Sequence, residues 1–386
     1  MPHILDISTA VPDFLITNEN LIKFYSEALE AEDKNAITKK LTFLSGKTKI
    51  NKRYSCIPDF KGNSYELYKD GNSNRPVEER MELYKKNIMP LASKAINIVL
   101  SETGIETNDI THLITVSCTG LFAPGFEFLV AEKYKLQNTE KIALNFMGCY
   151  AGLKALKHAH YIAQADPTAC ILIVSAELCS LHFYPSDSDE DILSNLLFAD
   201  GAAAVVVCGN ESKHIQNKLT LSIDSIGTSY IPNTMNLMTW NISSSAFRMY
   251  LSRNIADAIK ENVHSVVNDF LGNGINETEH WAIHPGGAKI VEAVQESLQL
   301  SESNVEDSMN VLREYGNMSS PTILFILSRI LNKIKKENPV PTAIGTKKIF
   351  ACAFGPGLNI EMAGLSSVDA RLLKTNINST VSYAAQ

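Results

Sequence analysis

Short, nearly continuous apolar runs alternate with longer stretches of helical apolar spacing along the 386-residue chain. That is the pattern of strands buried on both faces with helices packed over them. Ile4 to Ile7 reads as a first strand, followed by a turn around Pro12 and a helix from about Asn18, capped by Thr17 or Asn18. A polar stretch through Asn74 precedes a predicted helix over about Val77 to Thr103, interrupted or kinked near Pro90, where the ring removes a backbone donor. His112 to Cys118 is the next predicted strand, and SCTGLFAPG opens it into a loop. Ile171 to Ser175 and Ala202 to Cys208 are further strands, with SAELCSLHFYPSDSDEDI read as a polar excursion between them.

The sharpest change of period lies within Lys141 to Gln164. Ile142, Ala143, Leu144, Phe146 and Met147 form an apolar run that suits a doubly buried strand. Ala151, Leu153, Ala155, Leu156, Ala159 and Ile162 then recur with roughly helical spacing. Cys149 sits at the change, flanked by Gly148 and Gly152, which permit a tight turn and close backbone approach. A thiol there lies near a helix N-terminus, whose free N–H groups and dipole favour the thiolate. A small buried hydrophobe is the competing reading of the same cysteine.

The second half of the chain echoes the first. ITHLITVSCTG near 110–120 has a counterpart in TEHWAIHPGG at 278–287, and the elbow GCYAG is mirrored by GNMSSPTILFILSRIL at 316–331. Repetition in order predicts an internally duplicated α/β architecture, with halves at 1–210 and 218–365 joined through GNESKHIQN. KIKKENPVPTAIGTKK, 333–348, reads as a charged loop and KIFACAFGPGL as the last buried strand and turn. Residues 366–386 lose the pattern and are predicted to be a flexible tail.

A net charge of -7 gives no general reason to expect nucleic acid or an anionic membrane. No apolar run reaches the roughly 18 residues of a membrane-spanning helix, and the first residues lack the form of a signal peptide, so a cytoplasmic protein is expected. Seven scattered cysteines without a CxxC pair speak against a disulfide framework or a zinc site. One local exception to the acidic balance runs from Lys39 to Arg53, where Lys39, Lys40, Lys47, Lys49, Lys52 and Arg53 have no acidic neighbour between them. Such a patch suits a phosphorylated ligand or, more simply, a solvated face.

Two further residues could join Cys149. His284 ends the strand HWAI and begins PGG, so it sits at a strand terminus facing a loop where a ligand can approach the backbone. Asn317, in GNMSSP before an apolar helix, reads either as an N-cap or as a working amide. Together they make chemical sense, because an imidazolium would hold the Cys149 thiolate as an ion pair. His284 and Asn317 could also donate hydrogen bonds to a thioester oxygen that becomes an enolate on decarboxylation.

GCYAG, HPGG, GNMSS and FGPGL, in this order and at these intervals, resemble the signature set of the type III polyketide synthases, the chalcone synthase family, over roughly residues 4–364. The resemblance implies a thiolase fold, αβαβα, and a homodimer. It implies coenzyme A thioesters, an acyl-CoA starter and malonyl-CoA, as substrates, with no metal or redox cofactor. It assigns catalysis to Cys149, His284 and Asn317. Phe198 in LFADG and Phe247 match gatekeeper phenylalanines, and Cys118, Thr119, Cys179, His182 and Ser319 fall at cavity positions. Lys40 and Lys47 match coenzyme A-binding positions and Arg53 lies close by, whereas Phe43 replaces an arginine. Cys118 resembles bacterial members, and the bulky His182 speaks against a coumaroyl-type starter. Expected products are pyrones, resorcinols or phloroglucinols. A ketoacyl-ACP synthase III, which condenses once, and a silent thiolase-fold protein that only binds acyl groups are the alternatives.

Overall fold

The structure, a computed structural model, describes residues 1–29, 33–62, 64–68, 74–216, 218–338 and 346–370. Up to Cys208 the chain forms β1 (His3–Ala10), β2 (Phe14–Thr17), α1 (Asn18–Ala28), α2 (Lys34–Thr48), β3 (Lys52–Ser55), α3 (Val77–Thr103), β4 (His112–Ser117), α4 (Phe126–Tyr134), β5 (Glu140–Asn145), α5 (Ala151–Ala165), β6 (Cys170–Leu178), α6 (Asp189–Leu197) and β7 (Asp200–Cys208). It continues with β8 (Leu219–Tyr230), β9 (Met238–Ile242), β10 (Phe247–Leu251), α7 (Ile255–Leu271), β11 (His280–Ile283), α8 (Ala288–Ser297), α9 (Glu302–Tyr315), α10 (Thr322–Glu337), β12 (Lys348–Gly355) and β13 (Asn359–Asp369).

Nine strands are hydrogen-bonded in the order β11-β12-β13-β8-β1-β7-β6-β4-β5. The order contains one unit twice. β4 runs parallel to β6, β6 antiparallel to β7, and β7 antiparallel to β1. In the same way β11 runs parallel to β12, β12 antiparallel to β13, and β13 antiparallel to β8. The two units meet at β1 and β8 through only two paired positions, His3 with Ser222 and Ile4 with Leu221. The echo between HLITVSC and HWAIHPGG therefore corresponds to β4 and β11, equivalent strands of a duplicated fold.

Alternation along each strand builds the layers, because side chains i and i+2 face the same way. On β6, Leu172, Val174 and Ala176 face outward and pack with Tyr84, Ile88, Ala92 and Val99 of α3. Ile171 and Ile173 face inward, where α5 and α10 fill the space between the two sheet units together with Val205, Leu221, Ala351 and Ala363. Beyond the second unit, Phe350, Cys352 and Phe354 pack against Ile259 and Val263 of α7 and Val291 of α8. Helix, sheet, helix pair, sheet and helices make the five layers of the thiolase fold. α10 has ten buried residues in sixteen, as expected for a helix covered on nearly every side.

Several sequence expectations need correction. β5 is the end strand of the sheet, and of its six residues only Leu144 is buried in the single chain. The polar excursion after Ser175 is largely interior: β6 continues to Leu178 and a 3-10 turn spans Cys179–His182. The charged run after Lys333 begins as the last turn of α10, through Glu337, while 339–345 lie outside the described residues. β13 carries the pattern past Ser366 to Asp369, and the rest of the expected tail, 371–386, also lies outside them. Thr17 is the first cap, closing a reciprocal capping box with Asn20.

Candidate active site

Cys149 stands between β5 and α5, two residues before the first helical residue, in the strand-turn-helix elbow expected from the sequence. The turn needs two left-handed residues, Phe146 at φ 59° and Gly148 at φ 85°. Gly152 is required by a crossing: a Cβ there would lie 2.5 Å from the carbonyl oxygen of Ser320, where the starts of α5 and α10 meet. Gly355, at the end of β12, is pressed against the Tyr150 ring. The FGPGL loop is thereby held beside the elbow.

Asn317 faces Cys149, its Nδ2 3.9 Å from Sγ. It is not an N-cap, since Pro321 holds that position for α10. Its amide is fixed at both ends: Oδ1 accepts from the Ser319 N–H at 2.8 Å, and Nδ2 donates to the Gly286 carbonyl at 3.3 Å. Gly286 lies two residues beyond His284, so the HPGG loop is tied to the asparagine. The Asn317 backbone also pairs with the end of α6, donating to the Leu197 carbonyl while accepting from Ala199 N–H, each at 2.9 Å.

His284 is fully buried at the end of β11, and neither ring nitrogen has a partner among the described residues. Buried polar atoms without partners are rare in folded proteins. Burial pushes the His284 pKa down to about 3 and the Cys149 thiol up to about 11, the latter opposed by Ser319 and Asn317. Burial thus disfavours the charged form of each group, the imidazolium and the thiolate alike.

One cavity is lined by the cysteine and a second adjoins that one. The first, of about 20 Å³, is lined by Cys149, Asn317, Gly286, Phe198, Met238, Met249 and Phe354. The second, of about 50 Å³, shares Phe198 and Met249 and adds Cys179, His182, Trp240 and Phe247. Phe198 therefore stands between them. The other expected cavity residues are held by their neighbours. Cys118 Sγ accepts from the Gly148 N–H at 3.1 Å, the Thr119 hydroxyl donates to Glu177 at 2.8 Å, and Ser319 is buried at φ 59° beside Asn317.

Glu177 was hidden within the stretch read as a polar excursion. It is fully buried and accepts from the Ser320 hydroxyl at 2.5 Å, the Cys118 N–H at 2.8 Å and the Thr119 hydroxyl. Burial raises its pKa from 4.5 to about 7 despite these donors. An acid whose folded pKa lies above its unfolded value contributes stability that is present below pH 4.5 and lost as pH climbs through about 7. Glu177→Gln keeps the shape and removes the charge, so it should abolish that descent, a relative gain of about 3 kcal/mol by pH 8. Denaturation midpoints from pH 4 to 8 read the effect, and parallel wild-type and variant curves would contradict it.

The basic patch is divided. Arg53 is 3% exposed, and its guanidinium donates to the Leu196 carbonyl and, at 2.8 Å, to Asn18 Oδ1, so it does not belong to a surface phosphate site. Lys40 and Lys47 lie on α2 two turns apart, hence on one face. Lys40 pairs with Asp189 at 2.7 Å, and the Lys47 ammonium lies 4.1 Å from the Phe43 ring centre. Lys49 pairs with Glu292 at 2.5 Å.

A buried thiol at an elbow, a doubly anchored amide facing it and, among the described residues, an imidazole without a partner lie on a duplicated five-layer fold. The N-terminal domain of chalcone and stilbene synthases matches residues 1–211 and the C-terminal domain residues 222–369. The chain belongs to this family, the type III polyketide synthases, and is a transferase of the acyltransferase type. Type III polyketide synthase A of Arabidopsis thaliana is 27% identical over 367 residues, covering 93% of this chain and 91% of its own. The solved structure of PKS-I from the brown alga Ectocarpus siliculosus superposes with a TM-score of 0.88 at 27% identity, over 95% of this chain and 98% of that one. The C-terminal type III domain of Steely1, a type I/III hybrid from Dictyostelium, gives 0.83 at 26% identity, over 95% and 99%. Family members act on acyl-CoA and malonyl-CoA without a further cofactor. Among the described residues there is no cluster able to hold a metal ion, and no helix is long and apolar enough to cross a membrane.

Proposed function

We propose that Cys149 takes the starter acyl group from coenzyme A and that His284 and Asn317 drive decarboxylation of malonyl-CoA beside it. The observation that carries this is the Asn317 amide, clamped by Ser319 and Gly286 with its Nδ2 3.9 Å from Sγ. In loading, neutral His284 accepts the thiol proton, Sγ attacks the starter carbonyl, and coenzyme A leaves with a proton. The transfer creates one positive and one negative charge together, so no net charge enters the buried site. In extension, the malonyl C–COO⁻ bond breaks, carbon dioxide leaves, and the electron pair passes into an enolate whose oxygen receives N–H donors from His284 and Asn317. The enolate carbon then attacks the acyl thioester and expels the Cys149 thiolate. Repetition followed by ring closure gives a pyrone, resorcinol or phloroglucinol.

Lys40 and Lys47 on the exposed face of α2 are proposed to meet the coenzyme A phosphates, and Phe198 to gate the passage between the two cavities. A cytoplasmic homodimer completes the reading. The open edge of β5, with Ile142 and Ala143 incompletely covered, supports pairing with a second copy.

The decisive experiment is mass spectrometry of purified enzyme with malonyl-CoA and a panel of acyl-CoAs, reading intact protein and released products, with light scattering of the same sample for its mass. Acyl adducts on Cys149, multiply extended cyclic products and twice the chain mass are expected. A single condensation, or activity only with an acyl carrier protein, would move the chain to ketoacyl synthase chemistry. Adducts without turnover would leave it a silent acyl-binding protein, and a monomeric mass would remove the dimer.

A further inference from the structure

Three rings, His182, Trp240 and Phe247, line the cavity that lies across Phe198 from Cys149, and Phe146 packs against two of them. Phe146 follows β5, His182 ends the turn after β6, and Trp240 and Phe247 lie on β9 and β10. His182 stacks on Phe247 with centroids 4.4 Å apart and planes at 9°. Trp240 stands edge-on to both, at 5.7 Å and 6.0 Å, and Phe146 lies 6.3 Å from Trp240 and 5.7 Å from Phe247.

Hydrogen bonds fix this cluster to the scaffold that carries the nucleophile. Trp240 Nε1 donates to the Cys118 carbonyl at 2.9 Å. The Phe247 N–H donates to His182 Nδ1 at 3.1 Å, which leaves Nε2 to donate to the Thr119 carbonyl at 2.7 Å. Cys118 in turn receives the Gly148 N–H of the elbow. His182 is thus a neutral, fully partnered ring serving as a wall. To yield space, Trp240 or His182 would have to break a buried hydrogen bond as well as ring contacts.

The space left in front of the wall is small. The cavity at Cys149 has about 20 Å³ and the adjoining one about 50 Å³. Together they reach about half of the roughly 150 Å³ that a benzene-binding protein cavity offers.

We propose that Trp240, backed by His182 and Phe247, is the residue that sets starter size, and that the enzyme is built for short-chain acyl-CoA starters, of about two to five carbons, rather than long-chain or aromatic ones. The proposal rests on the reading above, in which Cys149 carries the starter.

The test is kcat/KM for the saturated series acetyl- to dodecanoyl-CoA with malonyl-CoA, for the wild type, Trp240→Ala, Trp240→Phe and His182→Thr, with circular dichroism to show that each variant is folded. Wild-type kcat/KM should fall at least about tenfold between butyryl- and octanoyl-CoA. Trp240→Ala should move the limit to longer chains and raise decanoyl-CoA turnover about tenfold or more. His182→Thr, which removes the stack from the other side, should move it in the same direction. Trp240→Phe should keep the short limit, because it retains the ring and loses only the Nε1–H. Octanoyl- and dodecanoyl-CoA used as well as acetyl-CoA by the wild type would overturn the proposal, as would an unchanged chain-length profile in folded Trp240→Ala or His182→Thr. Wild-type enzyme that takes acyl groups onto Cys149 but releases no condensed product with any starter would instead sink the underlying polyketide synthase reading, and the starter limit with it.

Discussion

Cys149→Ala is expected to end acyl-enzyme formation and condensation completely while leaving malonyl-CoA decarboxylation measurable. The two steps draw on different atoms. Loading needs a sulfur nucleophile, and alanine offers none. Decarboxylation needs donors to the enolate oxygen, and in the variant His284 keeps its buried, unpartnered nitrogens and Asn317 its anchors to Ser319 and Gly286. Release of acetyl-CoA from malonyl-CoA reads the surviving step, and intact-protein mass reads the lost one. An acyl adduct still found on the variant would displace Cys149 as the nucleophile. Decarboxylation lost together with loading would show that the thiol takes part in both.

Asn317→Ala is expected to have the opposite selectivity. Removing one pre-aimed donor from a developing oxyanion costs on the order of 10²–10³ in rate. Malonyl-CoA decarboxylation should fall by about that factor, whereas starter loading on Cys149 should change by less than about tenfold. The methyl group also removes the clamp on the His284 loop, since Nδ2 holds the Gly286 carbonyl. The readout is therefore a ratio: equal losses in both steps would mean that Asn317 only holds the loop, and the donor role would fall.

Much of this architecture could be read from the chain because local and tertiary preferences agree. α3 spans Val77 to Thr103 as the apolar spacing indicates, with Pro90 accommodated inside it, and the elbow at Cys149 follows directly from the change of period. The duplication was visible as an echo of weak identity because equivalent strands in both halves face the same layers. Composition failed where it had to stand for surroundings. β5 is apolar like a central strand but ends the sheet, and sequence cannot distinguish a face covered by its own chain from one left for a second surface. Arg53 counted as surface charge, yet its fork is occupied by the Leu196 carbonyl and Asn18 in the interior. Glu177 was lost among polar neighbours, since a polar residue whose every partner is internal reads the same as one facing water. Trp240 carried no local signal of a role; its reach to the Cys118 carbonyl comes from the β9–β10 hairpin folding back, a tertiary event.

Residue 198 owes its place to the backbone pairing of Leu197 and Ala199 with Asn317, in which its own side chain takes no part. The amide proposed to receive the enolate is positioned by main-chain atoms, and the ring proposed to gate the passage hangs from the same ladder. Those two properties can therefore be inherited separately. On the proposed roles, a larger or smaller side chain at this position would redraw what fits without displacing the Asn317 amide, so a lineage could explore new acyl chains one substitution at a time.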